Sequence, residues 1–259
     1  MKSLKLFGFL AAGAAMVLGL PGAANAAKVK YAEIAVENGG SVTGKVSFEG
    51  ALPASAVDNI LITKNPEVCG EGEREVVWID VKDGALRGTF VFLEKIKEGK
   101  AWTEPEGGQY LIDQKDCRFQ PWAQVVRPGP VIIRNSDKGV LHNINTREMI
   151  GVEKGRVVKR TMFNFGQPDL GDIEQAIKPR RSPYIGINCE AHNFMFGFMM
   201  APPHPYAVVV GEDGSYEIGD IPAGDYTLQA WHPTIGLQET KITVPAGGST
   251  EANFSFSAQ

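Results

Sequence analysis

Glycine and proline interrupt this chain so often that no long helix can be written through it. There are 30 glycines and 16 prolines in 259 residues. Between them stand short runs of Val, Ile, Phe, Tyr and Thr alternating with polar side chains. Such runs suit a pleated, half-buried surface, and Gly, Pro, Asn and Asp supply the turns between them. Residues 41–48, 75–81, 89–93, 131–134, 184–188, 207–210, 226–231 and 239–244 read as strands. A short helix is expected only at residues 169–177, where Asp172, Ile173, Glu174 and Ile177 are spaced for a turn or two. Many short strands with frequent turns define an all-β chain built as sandwiches or barrels.

The first residues carry an export signal pattern. Lys2 and Lys5 precede an apolar stretch at residues 6–20, and Ala24-Asn25-Ala26 forms a small-residue cleavage site. Residues 1–26 are therefore expected to be a signal peptide, cut before Ala27, with the mature chain periplasmic or otherwise secreted. No later apolar run approaches the roughly 18 residues of a membrane span, so no membrane insertion of the mature chain is expected. The formal net charge is −4. The leader holds two lysines and no acidic residue, so the mature chain is more acidic still. That balance argues against nucleic acid as a partner.

Chemistry concentrates in Cys189-Glu190-Ala191-His192-Asn193-Phe194-Met195. A thiolate, an imidazole and a thioether at this spacing are soft ligands of the kind that select copper. One more imidazole is needed, and His142 follows the loop Asn135-Ser136-Asp137-Lys138-Gly139 within a few residues. The thioether argues for copper over zinc. Only 4 His are present, too few for a trinuclear cluster beside a mononuclear site, and the ligand loop lacks the second Cys a dinuclear centre needs. Met199 and Met200 remain alternatives to Met195. His204 and His232 are read as structural. The bland alternative is a buried Cys and core histidines with no metal role.

Three Cys is an odd number for an oxidising compartment. Cys189 has metal-like neighbours and the others lack them, so Cys69 and Cys117 are expected to form a disulfide. Loop-closure entropy makes such a bridge worth about 4 kcal/mol. The alternative is a pair of buried free thiols.

Residues 100–206 resemble the cupredoxin family. The shared features are Pro128-Gly129-Pro130-Val131-Ile132, then Asn135, then His142-Asn143, and the closing Cys-x-x-His-x-x-Met. The short ligand loop is similar to that of amicyanin. The resemblance implies a Greek-key β-sandwich holding one mononuclear type 1 copper ion. It implies His142, Cys189 and His192 as equatorial ligands, Met195 as the axial one, and Asn143 donating its backbone N–H toward the Cys189 sulfur. It also implies single-electron transfer with a redox partner protein; no catalytic constellation stands beyond the candidate ligands, so no enzymatic activity is expected. Copper carriage and a metal-free scaffold are the rival readings.

The flanking segments resemble a carboxypeptidase regulatory-like domain, a transthyretin-like sandwich. The residues concerned are Gly44-Lys45-Val46-Ser47-Phe48, Asp213-Gly214-Ser215-Tyr216 and Pro222-Ala223-Gly224-Asp225-Tyr226-Thr227-Leu228. This sandwich would take residues 27–99 and 207–259, with the copper domain at 100–206 inserted in it or lying next to it. The whole mature chain also looks like exported methylamine-utilisation-type proteins that combine both domains. The apolar stretch 194–203 is expected to plug the metal site, to form a docking patch around His192, or both. Lys178, Arg180 and Arg181 read as a solvated face able to steer an acidic partner.

Overall fold

The computed structural model describes residues 30–258, so the signal peptide and its cleavage site lie outside the described residues. Within them the chain is built almost wholly of strands, with three short 3-10 turns and one helical turn, Pro66–Cys69. The all-β expectation holds. No helix among the described residues is long and apolar enough to cross a membrane.

Two sheets enclose the middle of the chain. One is five-stranded, in the order Ala123–Val125, Phe196–Met200, Tyr184–Asn188, His142–Ile150, Val158–Gln167. The other is four-stranded, in the order Arg118–Gln120, Leu111–Lys115, Gly129–Asn135, Gly171–Ile177. Both mix parallel and antiparallel pairing. Ile112, Val131, Ile133, Ile144, Ile185 and Ile187 fill the space between them and are excluded from solvent. Their period-two spacing along the strands sends these side chains to the shared core.

The two ends of the chain build a second core together. Gly40–Glu49 pairs antiparallel with Ser215–Ile221 and parallel with Phe254–Ser257. Phe90–Leu93 lies between Ala207–Val209 and Gly224–His232. Val42, Leu86, Leu93, Leu228, Ile242 and Phe256 form the interior. A third cluster, including Phe90, Tyr184, Met200 and Trp231, joins strands of both halves. The join is tight enough to require a glycine: a Cβ on Gly88 would sit 2.1 Å from the Trp122 ring. Trp122 in turn packs edge-on to Phe196 and Phe198.

One expectation is overturned. Residues 169–177 contain the strand Gly171–Ile177 and no helix. Asp172 and Glu174 point outward while Ile173, Gln175 and Ile177 are shielded, which is a period of two. Arg134, directly opposite, fixes the choice by gripping Asp172 through Nε at 2.7 Å and Nη2 at 2.9 Å. The run at 75–81 is shorter than read: the strand is Glu73–Val77, and pairing resumes at Val81–Lys82.

His204 and His232 pack inside, 1% and 0% exposed. Burial pushes each imidazole down to about 4. His232 Nδ1 accepts from the N–H groups of Thr234 and Ile235, a role that only the neutral ring can fill. An unfolded histidine titrates near 6.5, so between pH 6.5 and 4 the unfolded chain binds protons that the folded chain refuses. Stability must fall as pH drops through that window, by up to about 3 kcal/mol per histidine. Denaturant midpoints of the metal-free protein at pH 7 and pH 4.5 should differ accordingly, and His232→Gln should flatten the slope.

Candidate metal centre

Local folding brings the four sequence candidates to one pole of the middle sandwich. His142 opens the strand His142–Ile150, which pairs with Tyr184–Asn188 through Asn145 opposite Asn188. Cys189 follows that second strand at the same end. The loop 189–195 is closed by two backbone bonds, Cys189 N–H to Met195 O and Met195 N–H to His192 O, both 3.0 Å. They fold the loop so that Cys189, His192 and Met195 all turn inward, at 2%, 1% and 1% exposure. Ligand atoms of His142, Cys189 and His192 lie within 4.8 Å of one another.

The nitrogens are sorted by their partners. His142 Nε2 lies 2.7 Å from Asp137 Oδ2. An ionised carboxylate only accepts, so Nε2 carries the proton and Nδ1 presents its lone pair. That Nδ1 is buried with no hydrogen-bond partner. A buried nitrogen lone pair without a partner is costly, and a metal ion facing it would satisfy it. His192 repeats the arrangement, with Nε2 3.1 Å from Asn65 Oδ1 and Nδ1 3.6 Å from Cys189 Sγ. The Asn143 N–H donates to Cys189 Sγ at 3.4 Å, the contact expected from the sequence. Burial pushes the Cys189 thiol up, and N–H groups of Asn143, His192 and Ala191 offset part of that rise. Burial and the neighbouring His142 push His192 down to about 4, so it is neutral and ligand-ready at pH 7. One thiol and two imidazoles oriented in this way fit copper by donor chemistry.

Met195 and Met199 both belong to the buried cluster that holds Cys189, so position along the chain separates them. Met199 lies opposite Ile185, while Phe196 opposite Asn188 marks the loop end of that strand pair. Three residues of strand carry Met199 about 10 Å away from the loop. Met200 packs with Phe90 and Trp231 in the cluster that joins the two halves. The stretch 194–203 is mainly core: Phe194, Met199, Met200 and Ala201 are all buried. His192 itself is 1% exposed, so the docking patch expected around it is not formed by its own ring.

Three supporting residues escaped the sequence reading. Asp137 stood in the quoted stretch without a role, yet it holds His142 and accepts the N–H groups of Asp116 and Cys117 at 2.8 and 2.9 Å. Asn65 is 127 positions from the ring it touches. Arg74 stacks its guanidinium 4.8 Å from the Phe194 ring centroid. No spacing rule joins any of these to the ligands. Cys69 and Cys117 are bridged as expected, and Cys189 is the free cysteine among the described residues.

The sequence matches no protein-family model and no curated protein. Among solved structures it is similar to a purple cupredoxin from Nitrosopumilus maritimus, at 17% identity over 36% of this chain and 100% of that one, TM-score 0.28. It is also similar to a reduced Cu(I) amicyanin mutant, at 17% identity over 37% and 83%, TM-score 0.27. A second reduced amicyanin mutant aligns at 15% identity over 43% and 98%, TM-score 0.29. At these identities and scores the likeness adds nothing to the geometry described above.

Proposed function

We propose that this chain is an exported mononuclear type 1 copper protein that passes single electrons to a redox partner protein, and that it is not an enzyme. One observation carries the reading. A single buried thiol lies within 4.8 Å of a ring nitrogen of each of two imidazoles, both Nε2 atoms already have an oxygen partner, and the buried His142 Nδ1 has none. His142, Cys189 and His192 would hold the ion, with Met195 as the axial sulfur. Bound copper supplies a one-electron couple there. The protein's part is to keep the donors fixed and dry, so that little rearranges when charge changes. All the proposed ligands are 2% exposed or less, which favours retention of the ion over carriage and delivery.

The copper site is assigned to residues 100–206, set within a carboxypeptidase regulatory-like sandwich of residues 27–99 and 207–259. The pairing of Gly40–Glu49 with both Ser215–Ile221 and Phe254–Ser257 supports that division. Export is supported by the leader pattern and by the Cys69–Cys117 bridge, a bond characteristic of oxidising compartments. Titrating the purified mature protein with Cu(II) tests the reading. The expected result is uptake of one equivalent with an intense blue colour that is bleached and restored reversibly by reductant and oxidant. A protein that takes up copper and stays colourless would overturn it.

A further inference from the structure

The hairpin Val57–Leu61 and Glu73–Val77 contributes strands to neither sandwich sheet; its strands pair with each other. Its tip, residues 62–72, lies on the pole that holds the metal ligands. Three contacts place it there. Asn65 Oδ1 takes His192 Nε2. Cys69 is bridged to Cys117. Arg74 spans the junction, donating from Nη1 to Cys117 O at 2.6 Å and from Nη2 to Cys69 O. Sulfur atoms of Cys69 and Cys117 lie within 4.8 Å of a His192 ring nitrogen.

Asn65 gives up its usual local work to make this contact. It stands at the N-cap of Pro66–Cys69, where an Asn side chain normally accepts a helix N–H. Here it makes no capping bond and adopts a left-handed backbone, φ 52°. Its oxygen is turned onto the imidazole instead. The disulfide then joins the supports of the two histidines. On one side, Cys69 ends the helical turn that begins at Asn65, which holds His192. On the other, the Cys117 N–H bonds Asp137, which holds His142.

We propose that this bridged hairpin tip is a working part of the metal centre: Asn65 is the positioning residue of His192, and the Cys69–Cys117 bond locks the supports of both imidazoles so that the ion is retained. The proposal rests on the copper reading for its metal, and on the metal-free geometry for its positioning. An imidazole whose outer N–H is held by a fixed acceptor presents one tautomer and one orientation, and loss of such a partner typically costs 10–100-fold in metal affinity. A tip pinned by a covalent bond also cannot swing aside to let a chelator reach His192.

Asn65→Gly tests it without straining the chain, because glycine adopts positive φ freely. Asn65→Asp keeps the acceptor and serves as the rescue. Cys69→Ala/Cys117→Ala removes the lock. In metal-free protein, nitrogen chemical shifts should show His192 as the Nε2–H tautomer in the wild type and Asn65→Asp, and as a mixture in Asn65→Gly. In copper-loaded protein, extraction by a Cu(I) chelator should be about 10–100-fold faster for Asn65→Gly and for the bridge-free variant than for the wild type. Asn65→Asp should stay near wild type. Unchanged tautomer and unchanged extraction in Asn65→Gly would overturn the proposal even if the protein turns blue. A wild type that binds no copper would overturn the copper reading alone, and the tautomer would still decide the role of Asn65.

Discussion

Cys189→Ser is expected to abolish the blue colour completely and to weaken copper binding by at least about 100-fold, beyond the 10–100-fold typical of losing an outer partner. A serine hydroxyl is close to isosteric with the thiol but is not deprotonated by copper at neutral pH. It is a hard donor, and soft thiolate is what selects copper over the other metals of the cell. The remaining donors, His142 Nδ1 and His192 Nδ1, stay in place because their orientation comes from Asp137 and Asn65, not from the sulfur. Residual binding should therefore be pale and imidazole-like. The substitution adds little strain: Cys189 is buried, and its sulfur accepts the Asn143 N–H at 3.4 Å and the N–H groups of His192 and Ala191, which an oxygen can also accept. Optical spectra and a competitive copper titration on both proteins, with thermal melts alongside, check this. A variant that unfolds would lose colour for the wrong reason, and the melts separate the two. A folded, blue Cys189→Ser protein would remove the thiolate from the centre and end the type 1 assignment.

The convergence of Cys189, His192 and Met195 was legible in the sequence because it is local. Cys189, His192 and Met195 must share one turn of backbone, so their spacing is fixed by the reach of a short loop. The strand 184–188 was legible for a similar reason: Tyr184, Ile185 and Ile187 form a short apolar, partly β-branched run, which suits a buried strand. Residues 169–177 were not legible, since Ile173 and Ile177 satisfy both a helical and a strand period. Gly129–Asn135 decides between them, and that strand is distant in sequence. The hairpin of His142–Ile150 and Val158–Gln167 was also missed. It buries Thr146 and Glu148 among apolar neighbours, so its pattern does not read as a strand until its partners are known. Asn65, Arg74 and Asp137 belong to the same class. Each acts through a contact that only the folded chain creates, and no local pattern marks it.

Glu148→Gln carries the largest expected effect on stability. The Glu148 side chain is 0% exposed, and burial alone pushes its carboxyl up. That push is outweighed by the N–H groups of Arg181, Ser182 and Arg180 and by the Arg160 side chain, and the carboxyl is held at about 2. Oε1 accepts Arg180 N–H and Ser182 N–H at 2.8 Å each and Arg181 N–H as well. Oε2 accepts both Nε and Nη2 of Arg160. The side chains of Lys178, Arg180 and Arg181 are exposed, as read from the sequence, while the backbone N–H groups of residues 180–182 cradle one buried carboxylate. A glutamine can satisfy the three N–H groups or the guanidinium, but its amide NH2 must then point donors at donors. Breaking a buried pair in this way costs roughly 3–5 kcal/mol. The depressed carboxyl gives the same scale: about two and a half units below an unfolded glutamate is about 3 kcal/mol. That contribution is complete above the unfolded value near 4.5 and is lost as pH falls through about 2. Urea denaturation should show the deficit in full at pH 7, and the gap between wild type and variant should narrow below pH 4. The consequence reaches the metal centre through the chain itself. Residues 180–182 lead directly into Tyr184–Asn188, and Cys189 follows. Copper bound by the folded variant should keep its colour, since no ligand is touched, while chelator extraction speeds up in step with the lost stability.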